Sequence, residues 1–218
     1  MSEFFNFSQL FENCFFEHGE LIEYKKGQHI VWQKDKSEWV FFSQEGLVRV
    51  SFTLLDKSHR IIGYFTPGAV FAQIGSFWGK HDGTLSYIAE IPTKVYRMKR
   101  QTFLKCLKDN PDAMQEYLQM TLRNQIFLID RVVYQGEKGL TAKCVRWLLF
   151  MAKYYGKSKG NRCEINVPLT QETAANFLNA TRESINVTLR ELEKEGYIEL
   201  ATKKITIKKM KELQALTG

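Results

Sequence analysis

The apolar period of this chain changes once, near Asn110, and that change limits the fold more than any other feature. From Leu21 to about Met98, short runs (HIVWQ, EWVFFSQ, LVRVSFTLL, HRIIGYF, TLSYIAE and KVYRM) are separated by Gly, Pro, Asp or Lys turns. Residues Leu47 to Phe52 mix apolar and polar side chains at period two, as half-buried strands do. Several such strands with glycine turns predict a compact β-sandwich or barrel. From Asn110 to Gly136 the period becomes helical. Pro111 suits a first helical turn, and Asp112 and Glu116 place acid near the positive end of the helix dipole. Met114, Leu118, Leu122, Ile126, Ile129 and Val133 then recur at steps of four or three for about six turns. Phe127, Leu128 and Val132 add a second apolar edge. So long a stripe fits either a core helix within one domain or a dimerisation helix joining two.

With 218 residues the chain is one large domain or two small ones. Fourteen of the 16 Phe precede Gly136, which predicts an aromatic core in the β-rich part or an aromatic-lined ligand pocket inside it. The net charge is +7 and uneven: residues 1–136 hold 16 basic and 15 acidic side chains, residues 137–218 hold 15 and 9. Localised positive charge points to a polyanion, nucleic acid or an acidic membrane surface. The start, MSEFFNFSQLFEN, offers no export signal. Ile61 to Gly79 runs 19 residues without a charge, but its glycines and Pro67 read as short buried strands joined by turns rather than a membrane span. Cys14, Cys106, Cys144 and Cys163 form no C-x-x-C pair and have no His at metal spacing. They read as core thiols of a reduced cytoplasmic protein, with a redox role as the alternative. No G-x-S-x-G, H-E-x-x-H or phosphate-cradling glycine loop argues for an enzyme.

Beyond Gly136 a second helix is expected from Thr141 to Tyr155, then a polar connection GKSKGN and a short strand INV before Pro168. The most informative stretch follows, PLTQETAANFLNATRESINVTLRELEKEGYIEL. Thr170 is a good N-cap for a helix through about Phe177. Asn179 can take the left-handed conformation that a tight turn needs. Thr181 then caps a helix that runs to Glu195 and stops at Gly196. Helix, tight turn and capped helix is the helix-turn-helix arrangement, whose second helix enters the DNA major groove. Ile185, Leu189 and Leu192 form its buried stripe. Arg182, Glu183, Asn186, Val187 and Arg190 lie on the other side. YIELATKKITIKK reads as two strands around a turn, a wing whose Lys203, Lys204, Lys208 and Lys209 sit where phosphates would be met.

The segment LTQETAANFLNATRESINVTLRELEKEGYI resembles the C-terminal signature of the Crp/Fnr family of bacterial transcription regulators. KKGQHIVWQKD, WVFFSQEGLVRVSF and YFTPGAVFAQIGSF resemble the family's sensor domain in the same order. The resemblance covers roughly residues 20–210. It implies an α+β chain in three parts. An N-terminal double-stranded β-helix, or cyclic-nucleotide-binding-like β-roll, with an N-terminal helix spans 1–109. A dimerisation helix spans 110–136 and a winged helix-turn-helix spans 137–218. It further implies a homodimer that couples a signal in the β-roll to a palindromic promoter site and meets RNA polymerase there. The DNA-facing set is then Thr170, Thr181, Arg182, Glu183, Asn186, Val187, Arg190, Lys203 and Lys204. The alternative is an interaction module of the same sensor type without sequence-specific DNA binding.

Two departures from the family pattern bear on the effector. Where the cyclic-AMP sensors have Gly-Glu-Leu, this chain has Ala72, Gln73 and Ile74, and where they have the phosphate arginine it has Gly83, followed by Thr84. Loss of the bidentate cation speaks against cyclic AMP. A lone Cys14 cannot supply the iron–sulfur cluster of the family's oxygen sensors, and solitary histidines speak against haem. The remaining signals are a small organic ligand contacting Ala72 to Gly75 and the dimer helix, a thiol-based signal, or no ligand. In the DNA-facing helix, Arg182 and Glu183 match the Arg-Glu pair that the family uses on G and C. Val187 stands where many members have a second arginine. Its methyls suit a thymine methyl and Asn186 suits adenine, which predicts half-sites richer in A·T.

Overall fold

The period-two segments pair into two four-stranded antiparallel sheets in a computed structural model, which describes residues 9–35, 38–72 and 85–217. These residues cluster as two units, 9–122 and 123–217. The first opens with α1 (Gln9–His18). Strands β1 (Glu20–Tyr24), β2 (His29–Val31), β3 (Trp39–Glu45), β4 (Val48–Thr53), β5 (His59–Phe65), β6 (Val70–Phe71), β7 (Ser86–Ala89) and β8 (Thr93–Lys99) follow. One sheet runs β1-β8-β3-β6 and the other β2-β7-β4-β5, a β-roll. At the β3–β4 turn Gly46 has φ +96°, and a Cβ there would run into Pro92 and Thr93. Only glycine satisfies both constraints.

The phenylalanines concentrated in this half divide between two cores. Phe41, Phe65, Phe71 and Tyr87 stack inside the roll, with Phe71 5.3 Å from Phe41 and 5.2 Å from Tyr87 between ring centroids. Outside it, Phe15 of α1, Phe42, Met98 and Phe103 join Ala113 and Met120 in a second cluster. Phe103 belongs to α2 (Arg100–Asp109), which the sequence reading passed over. That helix has no side-chain cap at Lys99, so it lacks the signal by which a short helix is read. It leads into α3 (Pro111–Gly136), 26 residues and about 39 Å long.

One expectation is corrected. Cys14 of α1 and Cys106 of α2 form a disulfide across 92 residues, with Cα atoms 6.5 Å apart. They are not both free core thiols. The physical reason is tertiary: α1 folds back beside α2, and that packing cannot be read from spacing.

The second unit holds the remainder of α3, then α4 (Leu140–Tyr155) and a hairpin of β9 (Gly156–Lys159) and β10 (Arg162–Ile165). The expected polar connection GKSKGN is therefore strand β9 and its turn, and the strand before Pro168 ends at Ile165 rather than covering INV. Among the described residues β9 is an edge strand paired only with β10, so it shows no buried period. Next come α5 (Gln171–Leu178), α6 (Arg182–Lys194), β11 (Ile198–Ala201), β12 (Lys204–Ile207) and α7 (Met210–Ala215), with the sheet ordered β11-β12-β10-β9. Trp147, Phe177, Ile185, Leu189, Ile207 and Leu213 are buried in its core. Cys144 and Cys163 are buried free thiols, and burial pushes Cys144 up to about 12. A Cβ at Gly156 would strike the Ala152 carbonyl and Cys163 Sγ.

Candidate nucleic-acid interface

Local signals build the helix-turn-helix. Thr170, extended at φ −107° and ψ 165°, accepts the Thr173 amide at 3.0 Å and starts α5. Asn179, at φ 54° and ψ 50°, ends it in the left-handed conformation expected of it. Thr181 accepts the Ser184 amide at 3.2 Å and starts α6. Ile185, Leu189 and Leu192 are buried as predicted, and Thr188 is buried beside them. The Thr188 hydroxyl donates to the Ser184 carbonyl at 3.1 Å, so its burial leaves no orphaned donor.

That anchoring leaves Arg182, Glu183, Val187 and Arg190 exposed on the opposite side of α6, with Asn186 half-buried beside them. Val187 is 56% exposed, an apolar side chain held out toward solvent. Arg182 makes no ion pair among the described residues. Arg190 bends back along its own helix to Glu193 at 2.8 Å. The Glu193 carboxyl also accepts the Leu200 amide at 2.8 Å; first that bond and then Arg190 hold its pKa below the usual carboxylate range.

The wing turn joins β11 to β12 in the register Ala201 to Lys204. Lys203 sits there at φ +60°, exposed and without an ion pair among the described residues. Its carbonyl accepts the Leu169 amide at 2.9 Å, which ties the wing to the start of α5. Lys204 is instead paired with Glu164, whose pKa it lowers through that hydrogen bond. The structure thus separates four of the predicted cations into unpaired ones, Arg182 and Lys203, and paired ones, Arg190 and Lys204, while Lys208 and Lys209 are exposed just beyond the end of β12.

One polar residue beside α6 escaped the sequence reading. Gln171, the first residue of α5, donates from Nε2 to Asn186 Oδ1 at 2.6 Å. Only its position directly after a strong N-cap marks it out in the sequence.

Of the residues expected to face an effector, Ala72 is buried and has φ +60°, the left-handed region in which a glycine would be at ease. It adjoins the stacked cluster of Phe71 and Tyr87. The Tyr87 phenol is fully enclosed and pushed up to about 12 by burial, against the smaller opposing effect of the Ala72 backbone N–H. Gln73, Ile74, Gly75, Gly83 and Thr84 lie outside the described residues.

A winged helix-turn-helix joined in sequence to a β-roll defines a class of proteins, DNA-binding regulators with a sensor-type domain. Residues 21–110 match the family model described as a cyclic nucleotide-binding domain, and residues 142–216 match the Crp-like helix-turn-helix domain. The nitrogen fixation regulation protein FixK of Bradyrhizobium diazoefficiens is 21% identical over 204 residues, covering 93% of this chain and 84% of the relative. The structure of FixK2 from Bradyrhizobium japonicum has a TM-score of 0.76 at 20% identity, covering 92% of this chain and 98% of that one. OCPA-complexed CprK has a TM-score of 0.75 at 17% identity, covering 96% and 94%. The chain belongs to the Crp/Fnr family and is a DNA-binding transcription regulator. The reading as an interaction module without DNA binding gives way to this one.

Proposed function

We propose that the protein acts in the cytoplasm as a homodimer, without enzymatic activity. It reads a palindromic duplex through Arg182, Glu183, Asn186, Val187 and Arg190 and recruits or obstructs RNA polymerase at the promoter. Lys203 and Lys204 of the wing meet phosphates, as do the amide-rich helix starts capped by Thr170 and Thr181. The observation that carries this reading is the division of α6, with one apolar face buried in its own unit and the Arg182–Arg190 face left open beside the wing. The dimer reading rests on α3, where Met114, Leu118, Leu122, Ile126, Ile129 and Val133 are all between 43% and 60% exposed. Apolar residues at that spacing need a second helix to cover them.

Selection from random duplexes tests the DNA reading. The expected product is an inverted repeat with half-sites about one helical turn apart. Arg182→Ala relaxes preference at one position. Lys203→Ala weakens all sequences alike and lowers the salt slope by about 1. Selection of no common sequence overturns it, and a requirement for a second invariant G·C pair in each half-site overturns the expectation of half-sites richer in A·T. Leu118→Glu with Ile129→Glu is expected to give a monomer by sedimentation.

For the signal, the first reading is a small organic ligand in the β-roll near Ala72 and the first turns of α3, since Gly83 removes the cation that a cyclic phosphate needs. CprK, of similar fold, is described in complex with OCPA. Cyclic AMP at millimolar concentration is expected to leave both melting and DNA affinity unchanged. The Cys14–Cys106 bridge favours a second reading. Bridges in a reducing cytoplasm are usually transient and redox-sensing, and this one ties α1 to the helix that leads into α3. Peroxide would take two electrons and two protons from the thiols and leave water. DNA affinity equal before and after reduction by a dithiol would sink this second reading.

A further inference from the structure

The hydrogen bond from Gln171 to Asn186 commits one half of the Asn186 carboxamide, its oxygen, to α5. We propose that Gln171 is a positioning residue for base specificity: it holds the Asn186 oxygen toward α5 and leaves the Nδ2 amide for the groove, selecting a base edge that accepts hydrogen bonds. This rests on the reading of α6 as the DNA-reading helix and adds to it the chemistry of one base position.

An asparagine carboxamide has two donors on nitrogen and two lone pairs on oxygen. Bidentate recognition of adenine needs both atoms, the oxygen for N6–H and the nitrogen for N7. Here Gln171 Nε2 lies 2.6 Å from Oδ1, shorter than the usual range for N–H···O bonds, and Asn186 makes no other side-chain hydrogen bond among the described residues. Both residues are half-buried, so water competes for the bond less than at an open surface. Gln171 is itself placed by the Thr170 cap one residue before it, and Asn186 by Ile185 and Leu189, buried on either side of it in sequence. The oxygen and nitrogen of an amide diverge from one carbon, so committing the oxygen to α5 commits the donors to another direction.

A donor-only contact favours thymine O4 or the guanine O6 and N7 pair over cytosine, whose edge donates, and over adenine, where it meets N7 but leaves the N6–H donor without its acceptor. Val187, the next residue and more than half exposed, presents methyl groups that suit the C5-methyl of thymine. The pair therefore favours thymine. The half-site remains A·T-rich, but thymine takes the place on the contacted strand that an unsupported Asn186 would give to adenine.

The test is duplex selection, followed by competition with all four bases at each half-site position, using the full-length protein. Wild type should prefer thymine at the Asn186 position. Gln171→Glu has no donor on its carboxylate, so it accepts from Asn186 Nδ2 and turns the carboxamide over. Preference at that one position should then move to adenine or cytosine, changing the ratio to thymine by roughly tenfold or more. The added negative charge weakens every duplex alike and is read separately. Acid at the first helical position is compatible with the helix dipole, and melting of the variant checks that it folds. Gln171→Ala should flatten preference at this position and leave the others intact. In an Asn186→Ala background, Gln171→Glu should no longer alter base preference. Unchanged preference in Gln171→Glu, equal loss at several positions, or a persistent shift in the Asn186→Ala background overturns the assignment of Gln171 alone. A wild type that selects no sequence overturns the reading of α6 itself.

Discussion

The two units secure their cores by different means. Before Arg123, 14 basic and 14 acidic side chains cancel; from Arg123 onward 17 face 10, so the whole surplus of +7 belongs to the second unit. The first unit is built from strands that pair across long stretches of chain, such as β1 with β8, and its two ends are joined by the Cys14–Cys106 bridge. The second relies more on neighbours, a capped helix, a left-handed turn, a capped helix and two hairpins, with β10 and β12 as its long-range strand pair. The β-roll unit is held by long-range strand pairing and a disulfide, while the helix-turn-helix is held by caps and a turn that act within a few residues.

That contrast can be broken experimentally, most severely at the bridge. In the chain-entropy model, closing a loop of this size restrains the unfolded chain by about 4–5 kcal/mol. Cys14→Ser with Cys106→Ser should lower the stability of residues 9–122, followed by hydrogen exchange, and leave residues 123–217 unchanged. If both fall together, the units are not independent. Leu189→Ala is the converse, since Leu189 is 1% exposed in the core of the second unit and a cavity there costs about 2–5 kcal/mol. It should strip exchange protection from α6 and spare the β-roll.

Smaller changes sharpen the comparison. Thr181→Ala removes the side-chain cap of α6 at a cost of about 1 kcal/mol, seen as faster exchange in its first turn and weaker binding to all cognate sites. The smallest effect is on pH. His29 is held below its ordinary pKa, first by burial and then by Arg49. Because the folded value is depressed, its contribution is complete above about pH 6.5, the unfolded value, and is lost as pH falls through the lower folded one. His29→Gln should flatten that acid slope in the first unit. The second unit has no histidine, all four lying at positions 18, 29, 59 and 81, and should show no slope between about pH 8 and pH 6.

The same contrast decides how much could be read from the sequence. Thr170, Asn179 and Thr181 act within three or four residues of themselves, so their roles were legible as spelled. The buried face of α6 and the apolar stripe of α3 followed from period alone, but period did not decide between a core helix and the exposed stripe that α3 carries. The bridge was not legible because a cysteine carries no record of which other it meets 92 residues away. Nor was α2, which lacks a capping side chain, or β9, an edge strand with polar residues on both faces. In the DNA-facing set the residue types were legible, but the pairings of Arg190 with Glu193, Lys204 with Glu164 and Gln171 with Asn186 were not. Those pairings depend on rotamers chosen by neighbours, and they determine which of the predicted cations and amides remain available.

Gly156 has a use beyond opening β9. Because it presses its backbone on the Cys163 sulfur where even a methyl would not fit, and Cys144 is as deeply enclosed, neither thiol of the second unit has room for an alkylating reagent while that unit is folded. The protein thus carries its own internal reference. In a native labelling experiment read by mass, every added group should report on Cys14 and Cys106, and so on the state of the bridge, with a silent background from the DNA-reading half.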